Sequence, residues 1–275
     1  AIQDFNKAIE LSPNYADAFY NRGLAWGEKG ELDKAIDDFN RAIELNPNDA
    51  KTFFIRGIAW AEKGELDKAI EDFNKAIELD PNDAETFLVR GVAWALKGNY
   101  DKAIEDYNKA IEINPRFAMA YNNRGLARAN KGDLDGAIED YSKAIEINPR
   151  YADAYYNRGI ARYKDGDLDG AIEDYNKAIE INPRFARAYC NRGNARYEKG
   201  DLDGAIEDYT KAIKIDPRYA EAYYNRGLAR YEKDDIGGAI EDWNEAIEII
   251  PRDAEAYYNR GLARYYKGDL DGAIE

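Results

Sequence analysis

The chain has 275 residues, 45% hydrophobic and 34% charged, a balance that fits a globular protein and excludes a disordered tail or an oily membrane domain. It carries no histidine, one cysteine (Cys190) and a net charge of −15. Those counts exclude imidazole catalysis, histidine metal sites and an internal disulfide, and they disfavour nucleic acid, whose phosphates need clustered Lys and Arg. No apolar run is long enough to span a membrane. The start, Ala1-Ile2-Gln3-Asp4, lacks the basic segment of a signal peptide, so a cytoplasmic location is expected, with no membrane partner and no cofactor.

The first predicted element is a helix over 1–12, ended by Pro13. Pro13 opens a series of eight prolines, at 13, 47, 81, 115, 149, 183, 217 and 251, spaced by 34 throughout. Glycines 23, 57, 91, 125, 159, 193, 227 and 261 keep the same step, as do alanines from Ala35 to Ala273. So does an aromatic column of Phe39, Phe73, Tyr107, Tyr141, Tyr175, Tyr209 and Trp243. Within one period, Ala152 to Phe185, two apolar stripes have helical spacing: Tyr155, Gly159 and Ala161, then Ala171, Tyr175, Ala178 and Ile179. Lys164-Asp165-Gly166-Asp167 reads as the turn between them, and Asn182-Pro183 ends the second helix. Each period is thus a helix–turn–helix, with about 14 residues per helix. Such a hairpin cannot bury its stripe alone; stacked neighbours can, which predicts an all-α solenoid.

This pattern of aromatic, Gly, Ala, aromatic, Ala and Pro resembles the tetratricopeptide repeat over the whole chain. The resemblance implies an α-solenoid, a right-handed superhelix of 34-residue repeats, with the first helix of each repeat on a concave face. The expected domain is a single solenoid over 1–275: a partial repeat at 1–15, seven complete repeats at 16–253 and a partial repeat at 254–275. One departure is systematic. Where the family usually has leucine before the first glycine, arginine stands at 22, 56, 90, 124, 158, 192, 226 and 260. A column of aspartates at 38, 72, 106, 140, 174, 208 and 242 recurs as strictly. A core-proximal arginine without a partner is costly, so a repeated Arg–Asp ion pair is expected in preference to an anion-binding stripe.

On the expected groove, asparagine precedes the arginine at 21, 123, 157, 191, 225 and 259, replaced by Ile55 and Val89 in the second and third repeats. Asn123, Asn157, Asn191, Asn225 and Asn259 form a candidate ladder whose amides can each donate to and accept from a peptide unit. A similar ladder is a feature of the repeat domain of O-linked N-acetylglucosamine transferases, where it grips substrate backbone. Tyr156, Tyr163, Tyr197, Tyr224, Tyr231 and Tyr258, with Tyr265, flank it and suit a recognition surface. The early repeats offer Trp26, Trp60, Trp94, Phe54 and Leu88 instead, predicting a more apolar N-terminal third. The dicarboxylate clamp of chaperone-binding family members is not reproduced: Asp17, Glu85, Asp153, Glu221 and Glu255 make one clamp column mostly acidic. A neutral or basic partner segment is expected instead.

Farther along, Asp165-Gly166-Asp167-Leu168-Asp169-Gly170 mimics a calcium loop, but Asn176 stands where the bidentate acid belongs. Cys190 has no base beside it and reads as a packed or groove-facing thiol. Lys233 to Gly238 departs from the consensus, with two glycines at a helix start, and predicts local looseness. The chain closes on an expected first helix at 254–267; this and the helix at 1–12 fit a segment of a longer array, or head-to-tail self-association. The expected function is a non-catalytic protein–protein interaction scaffold binding an extended peptide in the groove. Its alternatives are a substrate-recruiting arm of a larger enzyme and a self-stacking structural or designed array.

Overall fold

A computed structural model describes residues 1–269 and Gly272. The predicted alanine at 273 and the end of the partial repeat at 254–275 lie outside the described residues. Two compact units, Ala1–Asp133 and Leu134–Glu275, are built entirely of helices among the described residues. The first holds α1 (Ile2–Leu11), α2 (Ala16–Gly27), α3 (Leu32–Leu45), α4 (Ala50–Glu62), α5 (Leu66–Leu79), α6 (Ala84–Leu96), α7 (Tyr100–Ile113) and α8 (Ala118–Asn130). The second holds α9 (Leu134–Ile147), α10 (Ala152–Lys164), α11 (Leu168–Ile181), α12 (Ala186–Glu198), α13 (Leu202–Ile215), α14 (Ala220–Glu232), α15 (Ile236–Ile249) and α16 (Ala254–Lys267). Within the units, α2, α4, α6, α10, α12 and α14 are each the first helix of a hairpin and pack on the odd-numbered helix that follows, as the periodicity predicts.

Inside each hairpin the core is alanine against an aromatic ring. Ala171, Tyr175 and Ala178 of α11 are buried, as are Ala205, Tyr209 and Ala212 of α13. Full burial of a ring of this size contributes roughly 1.5–3 kcal/mol. The ring lies so close to the facing helix that only glycine fits there: a Cβ on Gly193 would come within 2.6 Å of Tyr209 Cε1. That contact explains the glycine column.

The Arg–Asp pairs form as expected. Arg22 Nε and NH2 bind Asp38 at 2.8 and 2.6 Å, and Arg56–Asp72 and Arg90–Asp106 repeat this fork in the first unit. In the second unit Arg158–Asp174, Arg192–Asp208 and Arg226–Asp242 do the same. Each arginine also reaches back with NH1: Arg192 to Asn176 at 2.5 Å, Arg158 to Ser142 at 2.9 Å, Arg226 to Thr210 at 3.0 Å. Its guanidinium rests over an aromatic ring one turn earlier, as Arg192 does on Tyr189 at 5.4 Å. These arginines therefore tie three helices together, with three of the five guanidinium donors held by the protein.

A second tie divides the chain in two styles. Trp26, Trp60 and Trp94 lie under the lysines that open the following helix, with Lys34, Lys68 and Lys102 at 4.6, 4.4 and 4.1 Å from the ring centroids. Arginine takes the tryptophan's place at 162, 196 and 230, and glycine the lysine's at 170, 204 and 238. Arg196 NH1 donates to Gly204 O at 3.2 Å and to Asp208 at 2.9 Å, with matching bonds from Arg162 and Arg230. The tryptophans are thus part of a packed seam. Of the apolar residues expected in the N-terminal third of the groove, Leu88 is buried at 4% exposure, while Phe54, Trp26, Trp60 and Trp94 are half-buried.

Turns close with glycine at positive φ, 87° at Gly166 and 79° at Gly200. Asp234 takes that role in its repeat with φ 65°, the one non-glycine in this conformation among the described residues. The segment 233–238, where looseness is expected from its two glycines, carries a helix cap. Asp235 caps α15, accepting the Gly238 N–H at 2.9 Å, and a Cβ on Gly238 would sit 2.2 Å from Asp235 Oδ2. Glycine at 238 lets the capping carboxylate lie close over the helix start, as Gly170 and Gly204 do for Asp167 and Asp201. The calcium-like stretch 165–170 is spent the same way, as turn and cap of α11.

Candidate functional site

The candidate residues sit on the first helices. Asn123 lies on α8 of the first unit, where its Oδ1 accepts from Asn122 Nδ2 at 3.3 Å. The other ladder positions lie on α10, α12, α14 and α16 of the second unit, and their surroundings alternate. Asn191 Nδ2 donates to the Tyr156 hydroxyl at 3.2 Å, and Asn259 Nδ2 to the Tyr224 hydroxyl at 3.0 Å. In both, the tyrosine stands 35 residues before the asparagine. Asn157 is also engaged in an interaction. Asn225 differs, because the residue at that spacing is Cys190. Asn225 meets the Cys190 thiol in place of a hydroxyl, and its Nδ2 donates to Asn194 Oδ1 at 3.0 Å. The same oxygen accepts from the Tyr209 hydroxyl at 2.9 Å.

The tyrosines divide by environment. Tyr156 packs on Tyr175 and Phe185 with ring centroids 6.1 and 4.7 Å away, and Tyr231 lies 6.0 Å from Trp243. Tyr163 and Tyr197 donate their hydroxyls to Glu198 and Glu232 of the next first helix. Burial, reinforced by those carboxylates, pushes both phenols up to about 12. Tyr224 OH lies 3.3 Å from Glu255 Oε2. Tyr258 and Tyr265 are exposed.

Tyr163, Tyr197 and Asn225 converge on one cavity of about 350 Å³ in the second unit. Asn194, Glu198, Glu221 and Leu228 complete its wall. Sequence reasoning did not select Asn194, although its column is otherwise Leu24, Ile58, Val92, Leu126, Ile160, Leu228 and Leu262. That break in an aliphatic column was the available signal. Cys190, at the step where Tyr156, Tyr224 and Tyr258 carry tyrosine, is fully buried in the core of α12–α14, and burial pushes its thiol up to about 12. It is a packed, protonated thiol. Among the described residues no three Cys, Asp or Glu side chains are placed to hold a metal ion, and no helix is long and apolar enough to cross a membrane.

Family models agree with the repeat pattern. The model described as TPR repeat matches residues 1–30, 93–132, 125–166, 161–200, 193–234 and 227–268, and the one described as Tetratricopeptide repeat matches 16–49 and 50–83. No curated protein matches the chain. Among solved structures, a chain of the APC/C hetero-tetramer Cut9-Hcn1 is 20% identical with TM-score 0.69, covering 95% of this chain and 52% of its own. The present chain thus spans about half the length of that neighbour, and the likeness shows the fold alone. YrrB, described as a TPR protein with an unusual peptide-binding site, is 26% identical with TM-score 0.57, covering 68% of this chain and 96% of its own. MamA is 36% identical with TM-score 0.55 over 60% of this chain and 96% of its own. Repeats of this type typically mediate protein–protein interaction and are generally non-catalytic. In helix order, repeat length and sequence model, the chain belongs to the tetratricopeptide repeat family.

Proposed function

We propose that the chain is a protein-interaction scaffold that holds an extended, neutral or basic partner segment along the face formed by its first helices. The repeats, from the partial one at 1–15 through 16–253 to 254–275, work in this reading as one array. The observation that carries it is the convergence of Tyr163, Tyr197 and Asn225 on one open cavity, with Asn191 and Asn259 on α12 and α16 held in place by tyrosine hydroxyls. A rung that already donates one N–H to tyrosine is oriented before a ligand arrives, which lowers the ordering cost of binding. Each backbone bond made there contributes about 0.5–1.5 kcal/mol. The acidic residues on these helices, Asp153, Glu221 and Glu255, set the preference for a basic segment. YrrB, with its peptide-binding site, supports the reading by likeness.

The test is peptide display on the parent chain beside a variant with Asn123, Asn157, Asn191, Asn225 and Asn259 changed to alanine, after circular dichroism has established that both are folded. Peptides enriched on the parent and lost on the variant are expected. Equal enrichment on both, or none on either, refutes the reading.

A further inference from the structure

One cavity departs from the repeat in two places at once. Tyrosine gives way to Cys190 and an aliphatic residue to Asn194, four residues apart on one face of α12. The first change removes the hydroxyl that orients the ladder asparagine elsewhere; the second supplies a new acceptor, so that Asn225 is drawn to Asn194. Asn194 Oδ1 is filled by Asn225 and Tyr209, which directs the remaining polar groups of the amide pair, Asn194 Nδ2 and Asn225 Oδ1, to the space beside them. Two carboxylates, Glu198 and Glu221, stand on the wall, and no basic side chain lines it. Tyr197 and Leu228 supply apolar surface. Tyr163 fixes Glu198 through its hydroxyl, leaving the other carboxylate oxygen to a ligand.

We propose that this cavity seats the guanidinium of one arginine side chain of the bound segment, and so reads the partner's sequence at one position. This rests on the scaffold reading above. A planar cation with five donors suits a site that offers two carboxylates, an amide oxygen and aromatic faces, while its aliphatic stem lies on Leu228. A volume of about 350 Å³ accommodates a side chain of this size. A lysine, with a compact and more strongly hydrated head, gains less from the aromatic walls.

The experiment follows side-chain amide NMR signals of Asn194 and Asn225 in the full chain during titration with N-acetylarginine amide. Its uncharged isostere N-acetylcitrulline amide, N-acetyllysine amide and free arginine are titrated in parallel. N-acetylarginine amide is expected to bind about tenfold more tightly than the citrulline compound, the difference between charge-assisted and neutral hydrogen bonds. Asn194→Leu, which restores the aliphatic consensus and keeps the fold, is expected to abolish the shifts, and Glu198→Gln with Glu221→Gln to remove the arginine–citrulline difference. Equal binding of arginine and citrulline compounds, or unchanged binding by Asn194→Leu with shifts read at Asn225, overturns the proposal. Tighter binding of free arginine than of its capped form also overturns it, by assigning the cavity to a small molecule. Display separates the two readings: peptides selected without a fixed arginine leave the scaffold standing and remove this pocket's role. Arginine-specific shifts without any selected peptide remove the scaffold reading and with it the role in reading a partner, leaving a guanidinium site alone.

Discussion

Replacing Asp208 with alanine is the most direct probe of the arginine ties. Asp208 is 2% exposed and accepts three hydrogen bonds: from Arg192 NH2 at 2.5 Å, Arg192 Nε at 2.9 Å and Arg196 NH1 at 2.9 Å. The two guanidinium side chains are themselves 15% and 26% exposed. Alanine leaves both cations facing each other in a half-buried seam without their counter-charge, and removing one partner of such a pair costs about 3–5 kcal/mol. That figure measures the broken network; a matched apolar replacement of the whole cluster would cost far less. Asp72, which is held by Arg56 with Trp60 in the place of the second arginine, has one cation to strand and sits at the low end. Because repeat arrays unfold segment by segment, the assay is amide hydrogen exchange over α12, α13 and α14, supported by urea unfolding followed at 222 nm. A loss below about 1 kcal/mol, the ordinary worth of a surface pair, would refute the reasoning. So would equal losses for Asp72→Ala and Asp208→Ala.

Three other outcomes are expected. Gly193→Ala, whose methyl would meet Tyr209 at 2.6 Å, should destabilise α12–α13 by about 1–3 kcal/mol, seen as a lowered urea midpoint, whereas alanine at Gly27, with open space, should not. Gly237→Asp should stabilise the last repeats by up to about 1 kcal/mol, because it restores the acid that pairs with lysine 30 residues on, as Asp203 does with Lys233; Gly237 faces Lys267, and a differential melting scan reads the gain. Tyr163 and Tyr197 ionise near 12 in the folded chain against about 10 when unfolded, so stability is fully present below pH 10 and is lost as pH rises through 12. The ring Cζ NMR signals of Tyr163 and Tyr197 should therefore titrate together with loss of helix in that window; titration of both near pH 10 with helices intact would contradict it.

The repeat, its two helices and the Arg–Asp pairing were legible because each depends on residues at fixed spacing within one period. The pairing needed only two strict columns of opposite charge and the cost of stranding either. That lysines cover the tryptophans at 26, 60 and 94 was not legible, because Lys34, Lys68 and Lys102 begin the following helix and a single-helix view omits them. The ladder's positions were legible, but its partners were not. Whether an asparagine finds a hydroxyl depends on a residue 35 positions earlier, tyrosine at 156 and 224 but cysteine at 190. Asn194 was visible as an interruption of an aliphatic column, yet only the folded arrangement shows that it and Cys190 act on the same rung.

Arg22, Arg56, Arg90, Arg158, Arg192 and Arg226 each take one partner 16 residues behind and another 16 ahead, within a period of 34. A copying event that adds or removes one whole period therefore regenerates the lock wherever the cut falls. Excision of residues 152–185 would bring Ser142 to the place of Asn176 behind Arg192, and Ser142 already accepts an arginine NH1 from Arg158. The chain can lengthen or shorten by whole periods without inventing a new joint, so its reach along a partner is free to change while its chemistry at each step is retained.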